Sequence, residues 1–337
     1  MKILIVKTSS LGDLIHTFPA LSDALGACPD MEFHWLVEEA FSQVPVWHPG
    51  VSRVIPIGLR RWRRNWKKAW RNGEIQDFKS LLRQESYDLI IDAQGLLKSA
   101  LPAKWATGPV AGYDRHSARE GFASFFYQQR YFVSKKLHAI ERVRRLFSQA
   151  LDYPQPETPP DYGLSDERPL KDNKLIFLHS TTWPSKHWPR SYWAELTRLG
   201  TAAGFEVCFP WYEAEERLRA EHIMQMADDG QLLPRMDLNG LKQVLSSAAG
   251  VVGVDTGLAH LAAALNTPAV TLYGSTIEGL TGAVGERQKN LRADFPCAPC
   301  MQRQCRYEGA SPVQPACFQT LPAAKVWDTL QQQMALT

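Results

Sequence analysis

The chain has 337 residues, 45% hydrophobic and 22% charged, a composition that suits two folded domains and excludes a disordered or fibrous protein. Its net charge is +3, and the basic excess is local: residues 1–160 hold 22 basic and 16 acidic residues, whereas residues 161–337 hold 16 and 19. Because the basic residues are concentrated in one half, the composition does not suit a general nucleic-acid-binding protein. No run of apolar residues approaches the ~18–20 that a membrane-spanning helix needs.

The N-terminal stretch MKILIVKTSS contains a short apolar run that Lys7 interrupts. It lacks the long hydrophobic region and the small-residue cleavage site of an export signal. We therefore expect a cytoplasmic protein.

The first half alternates apolar runs with amphipathic segments. The predicted strands are KILIVK (2–7), FHWLV (33–37), RVIPI (53–57) and YDLIIDAQG (87–95). Predicted helices follow in LIHTFPALSDAL and in HAIERVRRLFSQAL (138–151). Continuously apolar strands are typical of a parallel sheet that is covered on both faces.

Residues 60–71, RRWRRNWKKAWR, form a basic block that carries seven positive charges. Trp62, Trp66 and Trp70 recur every four residues, so on one helix they would share a stripe. Three interpretations stay open: a nucleic-acid contact, a membrane-surface helix, or the rim of a pocket for an anionic substrate.

Residues 152–169, DYPQPETPPDYGLSDERP, contain five prolines and no periodic apolar face, which predicts a linker. We place one domain at 1–152, the linker at 153–169 and a second domain at 170–337, with a C-terminal helix able to return to the first domain.

The second half repeats the alternation of strands and helices. Its predicted strands are KLIFLHS (174–180), FEVCFP (205–210), VVGVD (251–255) and PAVTLYG (268–274), each with a helical segment beside it. The pattern predicts an α/β protein of two Rossmann-like domains with mainly parallel sheets that face each other across a cleft. Ligands of such sheets bind at the carboxyl ends of the strands.

The loop KTSSLGD follows the first strand and opens a helix. It matches no phosphate-binding glycine motif, and Asp13 would repel a phosphate. We expect either that Asp13 presents a carboxylate to the cleft or that it only caps the helix. Ser9, Ser10 and Gly12 allow a ligand to approach the backbone closely.

The stretch VDTGLAHLAAAL places Asp255 at a strand end and a helix directly after it. The backbone N–H groups of Thr256, Gly257 and Leu258 would form an anion site at the helix N-terminus, with His260 on the same face as Thr256. The alternative is that Asp255 is the N-cap and His260 is a packing residue.

Two further segments carry candidate donor-binding residues. In LHSTTWPSKHWP, the hydroxyls of Thr181 and Thr182 precede Lys186, which suits a phosphate, although a lysine there can also be a surface residue. In PWYEAEER, one acid could accept hydrogen bonds from a ribose, or all three could favour the helix macrodipole; the acids are Glu213, Glu215 and Glu216.

Four of the six cysteines are close in sequence, with the spacing C-x2-C-x4-C-x11-C, at Cys297, Cys300, Cys305 and Cys317. The second pair lacks the tight spacing of a zinc knuckle, so reduced structural thiols are favoured over a zinc site.

Read together, KTSSLGD, HTFPAL, DAQGLLKSA, HSTTWPSKHWP, FPW with EER, VDTGLAHLAAAL and YGST resemble, in order, the lipopolysaccharide heptosyltransferases of glycosyltransferase family 9. The resemblance implies a GT-B fold. It also implies an inverting enzyme that moves L-glycero-D-manno-heptose from ADP-heptose, and the basic block points to members that use the Kdo of Kdo-lipid A.

The resemblance also implies roles for individual residues. Asp13 matches the family's general base and Lys186 a residue beside the donor diphosphate. The other donor-binding residues that it implies are Thr181, Thr182, Asp255, Thr256, Gly257 and His260, with Glu215 preferred to Glu213 for the ribose. The residues themselves add Ser9, Ser10, Gly12 and Leu258 to the expected donor-binding set. From the basic pattern and the anionic acceptor, we expect the acceptor to contact Arg60, Arg61, Arg63, Arg64, Lys98, Arg119 and Arg142.

No D-x-D sequence occurs, so we expect neither a metal nor a cofactor. We expect a peripheral protein on the cytoplasmic face of the inner membrane, with at least one tryptophan of the basic block packed on its domain. The alternatives are a later-step heptosyltransferase, another nucleotide-sugar transferase, or a non-catalytic protein that binds anionic membranes.

Overall fold

Two units divide the chain, unit 1 at Met1–Leu164 and unit 2 at Ser165–Thr337. The structure is a computed structural model that describes residues 1–164 and 172–336. The part of the predicted linker at 165–169 lies outside the described residues.

Unit 1 is built on a six-stranded sheet in which every pair of neighbouring strands is parallel. The strand order is β3-β2-β1-β4-β5-β6. The central strand β1 is buried from its second residue onward because helices cover both faces. The strands are β1 Lys2–Val6, β2 Glu32–Glu38, β3 Val51–Ile57, β4 Leu89–Asp92, β5 Val110–Tyr113 and β6 Gln129–Tyr131.

Helices connect these strands on both faces of the sheet. The long helix α7 packs on α2, and a buried ion pair joins them: Arg144 Nε lies 2.6 Å from Asp23 Oδ2 and Arg144 Nη2 lies 3.1 Å from Asp23 Oδ1. The helices are α1 Leu11–Ile15, α2 Phe18–Ala27, α3 Leu59–Arg64, α4 Trp66–Arg71, α5 Glu74–Leu82, α6 Leu97–Ala103 and α7 Ala139–Leu151.

The basic block does not form the single helix that would align its tryptophans. Asn65, with φ −140° and ψ 54°, interrupts it and separates α3 from α4. Trp62 is therefore buried, with its ring 5.5 Å from that of Phe78, whereas Trp66 and Trp70 are 61% and 68% exposed. The predicted common stripe is wrong, and the expected packing of at least one tryptophan is confirmed.

Residues 153–164 of the predicted linker pack on unit 1. Tyr153 and Tyr162 are buried, and Arg144 donates hydrogen bonds to the carbonyls of Pro156 and Thr158. Gly163 has φ +60°, and an added Cβ there would lie 2.5 Å from the His48 ring, so glycine is required. The periodicity rule missed this packing because isolated tyrosines, rather than a stripe, provide it.

Unit 2 contains a second parallel six-stranded sheet, in the order β12-β11-β10-β7-β8-β9. Its core includes the perpendicular rings of Trp188 and Trp193, whose centroids are 4.9 Å apart. The strands are β7 Lys174–Leu178, β8 Glu206–Phe209, β9 Gln231–Leu232, β10 Gly250–Val254, β11 Ala269–Tyr273 and β12 Gln288–Arg292.

The helices of unit 2 include the C-terminal helix α13, which packs on α8 and against β11 of its own unit. Its buried residues Val326, Trp327 and Leu330 belong to the core of unit 2. The helices are α8 Arg190–Ala202, α9 Ala214–Ala227, α10 Leu238–Ser247, α11 Gly257–Ala264, α12 Glu278–Thr281 and α13 Ala323–Ala335.

Both sheets have the same connectivity. In each unit the first and fourth strands are neighbours and the chain winds outward from them in both directions, which is the Rossmann order. The crossovers from these two strands leave toward opposite sides, so a crevice opens at their carboxyl ends. In unit 1 that point lies between β1 and β4, and in unit 2 between β7 and β10.

Candidate active site

Asp13 lies at the carboxyl end of β1, in the first turn of α1 and half-buried. Ser10, the N-cap residue, donates to Asp13 Oδ2 from its backbone N–H at 2.9 Å and from its hydroxyl at 3.0 Å. The carboxylate therefore does cap the helix, through one oxygen. The other oxygen, Oδ1, is the candidate proton acceptor.

Positive charge surrounds this carboxylate. Burial favours the neutral acid, but the ammonium of Lys7, the hydrogen bonds from Ser10 and the charge of Arg119 outweigh burial and lower the pKa of Asp13. Lys7 is itself buried, and its Nζ donates to the carbonyl of Ala93 at 2.8 Å. Asp13 is thus held as a carboxylate at neutral pH.

The loop that carries Asp13 is fixed by residues at the end of β4. Gln94 accepts from both the N–H and the hydroxyl of Thr8 at 2.8 Å, and its own amide donates to the carbonyl of Ser9 at 3.2 Å. Asp92, fully buried, accepts hydrogen bonds from Gln94, Gly95, Ser99 and Tyr127. Asp92 and Gln94 were not predicted as site residues, although DAQG forms the end of a strong strand signal.

Three of the predicted acceptor-binding cations lie at this end of the sheet. Lys98 Nζ donates to Ser9 Oγ at 2.9 Å, and the charge of Arg119 acts on Asp13. Arg142 stacks on the Tyr113 ring at 5.0 Å and donates to the carbonyl of Ser117 at 2.6 Å. The predicted basic surface therefore continues beyond the basic block to the surroundings of Asp13.

The four arginines of the basic block differ in their surroundings. Arg60 is exposed and stacks on the Phe41 ring at 5.1 Å. Burial lowers the pKa of Lys98, and the positive charge of Arg60 lowers it further. Arg61 forms ion pairs with Glu39 and Glu74. Arg63 and Arg64 are exposed. Arg61 is the one most occupied by neighbouring carboxylates, so Arg60, Arg63 and Arg64 are better placed to meet an anionic ligand.

In unit 2, Asp255 at the end of β10 is the centre of a polar cluster and is almost fully buried. Lys186 Nζ lies 2.7 Å from Asp255 Oδ2, and Thr276 donates to the same oxygen at 2.7 Å. His260 Nε2 lies 3.8 Å from Asp255 Oδ1. Burial favours the neutral acid, but His260 and Lys186 outweigh it and lower the pKa of Asp255.

Helix α11 begins beside this cluster. Thr256, in an extended conformation, is the N-cap, so the alternative in which Asp255 caps the helix is wrong. The first N–H groups of a helix have no acceptor within it, and here they belong to Gly257 and Leu258. Together with the N-terminal end of the macrodipole, these groups can bind a diphosphate.

The segment after β7 reaches the same cluster. The Thr181 hydroxyl donates to the backbone carbonyl of Asp255 at 3.3 Å, and Lys186 lies 5.0 Å from the Trp183 ring centroid. The surface interpretation of Lys186 is therefore wrong, because its side chain is mostly buried in the ion pair. Thr182 is exposed.

The three glutamates at the start of α9 have separate environments. Glu216 accepts from the N–H groups of Tyr212 at 2.8 Å and Glu213 at 3.2 Å, which is a helix-capping role. Glu213 is the N-cap residue. Glu215 is exposed and stays the predicted ribose ligand.

All six cysteines are free thiols. Cys297, Cys300, Cys305 and Cys317 line one cavity of about 340 Å³. Burial raises the pKa of Cys317 to about 12, so this thiol stays protonated. Among residues 1–164 and 172–336, no group of His, Cys, Asp or Glu is arranged to hold a metal ion.

Comparison with known proteins identifies the family. The model for "Glycosyltransferase family 9 (heptosyltransferase)" matches residues 75–311. The chain belongs to glycosyltransferase family 9. It is 48% identical to lipopolysaccharide heptosyltransferase 1 of Pseudomonas aeruginosa, over 99% of this chain and 98% of that protein.

Two solved structures of Escherichia coli heptosyltransferase WaaC have the same fold. The complex with ADP superposes with a TM-score of 0.82 at 44% identity, over 87% of this chain and 93% of that one. The complex with ADP-2-deoxy-2-fluoro heptose gives 0.84 at 39% identity, over 98% and 99%. The predicted GT-B fold class and glycosyltransferase activity are confirmed.

Proposed function

We propose that the chain transfers L-glycero-D-manno-heptose from ADP-heptose to the Kdo of Kdo-lipid A, with inversion at the anomeric carbon, in the synthesis of the lipopolysaccharide inner core. The names of the similar proteins and the ADP compounds in the WaaC structures support this proposal. The observation that carries the chemistry is a charge-stabilised carboxylate, Asp13, at the switch point of the Rossmann sheet in unit 1.

We assign the donor to unit 2. The diphosphate would lie at the N-terminus of α11, against Thr256, Gly257 and Leu258. When the bond from the anomeric carbon to the diphosphate breaks, negative charge develops on ADP, and Lys186 would stabilise it electrostatically. Asp255, His260 and Thr276 would hold Lys186 and the start of the helix in place.

We assign the proton transfer to Asp13. The acceptor hydroxyl loses its proton to Oδ1 of Asp13 as its oxygen attacks the anomeric carbon and ADP leaves from the opposite side. A single displacement of this kind inverts the configuration. A carboxylate with a lowered pKa is ionised and ready to accept the proton, and such a base contributes roughly 10²–10⁴-fold to the rate.

The direct test is Asp13→Asn, assayed with ADP-heptose and Kdo-lipid A. We expect kcat to fall roughly 10²–10⁴-fold while ADP binding in unit 2 is retained, because the amide cannot accept the proton. Asp30→Asn, an exposed aspartate of unit 1, is the matched control and should keep wild-type kcat. Wild-type turnover by Asp13→Asn would contradict the assignment.

The acceptor separates this function from that of a later-step heptosyltransferase. Kdo-lipid A contains no heptose, so an enzyme for a later step would need an acceptor that already carries one. We expect turnover with Kdo-lipid A and little with the heptosylated product. The reverse preference would favour the later step.

We also propose that the chain works at the cytoplasmic face of the inner membrane. No helix in the described parts of the chain is long and apolar enough to cross a bilayer. The acceptor is a membrane lipid, so the enzyme must reach it from the surface. The cations around Asp13 and in the basic block suit the phosphates and carboxylates of that acceptor.

A further inference from the structure

An apolar surface on unit 1 is not explained by the transfer reaction. Phe122, Phe125 and Phe132 are 71%, 62% and 66% exposed, and Leu97 and Leu101 are 39% and 45% exposed. We call these five residues the phenylalanine patch. Exposed apolar residues grouped in this way indicate an interaction site more often than scattered ones do.

Four members of the patch, Phe122, Phe125, Leu97 and Leu101, lie on neighbouring elements. The rings of Phe122 and Phe125 lie 6.1 Å apart in the turn Gly121–Phe126. The N–H of Leu97 donates to the carboxylate of Glu120 at 2.7 Å, so α6 begins beside that turn. Leu101 follows Leu97 by four residues on the same helix face.

Phe132 directly follows β6, at the carboxyl edge of the sheet. The same edge carries Asp13 after β1 and the basic block after β3. The turn that holds Phe122 comes two residues after Arg119, whose charge acts on Asp13. The patch thus adjoins the place where the acceptor sugar is proposed to react.

The segment that carries the phenylalanines is rich in basic residues. Residues 115–136 contain five basic residues and one acidic residue, Glu120, whose carboxylate is engaged by Leu97. The basic residues are Arg115, Arg119, Arg130, Lys135 and Lys136, all exposed. Phenylalanine and leucine beside lysine and arginine are typical of surfaces that lie in the headgroup region of an anionic bilayer.

A second copy of the chain suits this surface less well. In a two-fold symmetric dimer the same patch would meet itself, so the five cations would face five more. The central parts of protein interfaces are also depleted in lysine. Charge complementarity therefore favours anionic lipid.

We propose that the phenylalanine patch inserts into the interface of an anionic lipid bilayer and holds unit 1 where the lipid acceptor lies. The inference rests on the proposed function, because that function places the acceptor in a membrane. Insertion would keep the sugar end of the acceptor level with Asp13, and it would act on acceptor capture rather than on bond breaking.

The first measurement is co-sedimentation with vesicles in the absence of both substrates. We expect the full-length chain to bind vesicles of phosphatidylcholine mixed with phosphatidylglycerol. The affinity of Phe122→Ser/Phe125→Ser for these vesicles should be lower by at least about tenfold. Leu218→Ser/Met226→Ser, two exposed apolar residues of α9, is the matched control and should bind as the wild type does.

The second measurement compares Kdo-lipid A with the same acceptor after removal of its acyl chains. We expect Phe122→Ser/Phe125→Ser to raise KM for the acylated acceptor by about tenfold, the factor expected for vesicle binding. Turnover of the deacylated acceptor should be unchanged, because it needs no bilayer. Absence of turnover of either acceptor by the wild type would count against the proposed function, whereas the vesicle result tests the patch alone.

Two results would overturn the inference. One is equal vesicle binding by the wild type and by Phe122→Ser/Phe125→Ser. The other is a wild type that does not bind vesicles but forms a dimer in analytical ultracentrifugation, while Phe122→Ser/Phe125→Ser stays monomeric. That result would assign the patch to contact with a second copy of the chain.

Discussion

Asp13 receives two hydrogen bonds on one oxygen from a single residue, Ser10. Both stabilise the charged form, and Lys7 and Arg119 add positive charge. A capping aspartate and a catalytic aspartate are usually treated as alternatives. Here the two hydrogen bonds from Ser10 orient the carboxylate and favour its ionised form, and the oxygen that we propose as the proton acceptor is the other one, Oδ1.

The lowered pKa of Asp13 predicts the pH dependence of the reaction. Asp13 acts as a base only when it is ionised, so activity is lost as the pH falls through its pKa. The acidic limb of kcat/KM that Asp13 causes should therefore lie below the ordinary aspartate pKa of 3.8. Ser10→Ala removes one hydrogen bond and should move this limb upward by roughly half to one pH unit.

Initial rates in a mixed buffer, followed to the lowest pH at which the fold survives, give this limb for both proteins. A limb centred above about pH 6 that shifts in Ser10→Ala would mean that the base has a raised pKa rather than a lowered one.

Lys186 and Asp255 form a buried pair, so removal of the lysine has two expected effects. Lys186→Met leaves a buried carboxylate without its main counter-ion and should lower the free energy of unfolding by roughly 3 kcal/mol. It should also reduce kcat/KM by about 10²-fold or more, because charge on the leaving ADP is no longer stabilised.

The matched control is Lys174→Met, which breaks an exposed pair with Asp172 in the same unit and should cost less than about 1 kcal/mol. Urea denaturation and initial rates measure the two effects. Equal destabilisation by the two variants would show that the Lys186–Asp255 pair does not behave as a buried one.

At the level of single residues, the sequence identified groups by type but not by contact. Asp255, Lys186 and His260 were predicted from their positions at strand and helix ends, and the structure brings them together. Thr276 and Gln94 were missed because an isolated hydroxyl or amide carries no periodic signal. Their importance depends on partners that are far away in sequence.

At the level of elements, the basic block shows how a local break changes a pattern. Spacing by four predicts one face only if the helix is continuous. Asn65 ends the first helix, so Trp62 turns into the core while Trp66 and Trp70 stay in solvent. Periodicity could not reveal this break, because asparagine in a charged segment is compatible with a helix.

The three tryptophans should therefore differ in their effect on stability. Trp62→Ala empties a packed position against Phe78 and should lower the free energy of unfolding of unit 1 by roughly 3 kcal/mol. Trp66→Ala and Trp70→Ala should stay within about 0.5 kcal/mol of the wild type. Chemical denaturation of the three variants provides the measurement. Equal losses in the free energy of unfolding would mean that the three tryptophans share one environment, as a continuous helix would give them.

Three edge strands were not predicted, for a common reason. They are β6, β9 and β12, which read QRY, QL and QKNLR. They are short or polar and lie at or next to the edges of the sheets, where fewer contacts require apolar residues. The buried interior strands gave continuous apolar runs and were predicted, with one exception. β5, which reads VAGY, is buried but was missed, because four residues with two small side chains give no long apolar run.

At the level of the whole molecule, each unit carries its own Rossmann switch point and its own cluster of charged residues. We therefore expect changes in the basic block to affect the acceptor alone. Arg60→Ala/Arg63→Ala should raise the acceptor KM by about tenfold at low salt, less at high salt, and leave the donor KM unchanged.

Lys289→Ala/Lys325→Ala removes the same charge from exposed positions of unit 2 and serves as the control. Steady-state kinetics at two ionic strengths, with each substrate varied in turn, separates the effects. A rise in donor KM on loss of Arg60 and Arg63 would place the basic block with the nucleotide instead.

The alternation of strands and helices was enough to predict two parallel sheets, because parallel strands are joined by long crossover connections that usually contain a helix. The end of the first unit was harder to predict. A proline-rich sequence indicates a lack of helices and strands, but it does not show whether the segment packs against the neighbouring domain or extends into solvent.

The anchored segment 153–164 has a practical consequence for dissecting the chain. A fragment cut at residue 152 would lose the two carbonyls that Arg144 binds, the buried ring of Tyr162, and Gly163, which lies against the His48 ring. A fragment that ends at Leu164 would retain them. Attempts to express unit 1 alone, or to join it to the second unit of another protein of the family, should place the junction after that leucine.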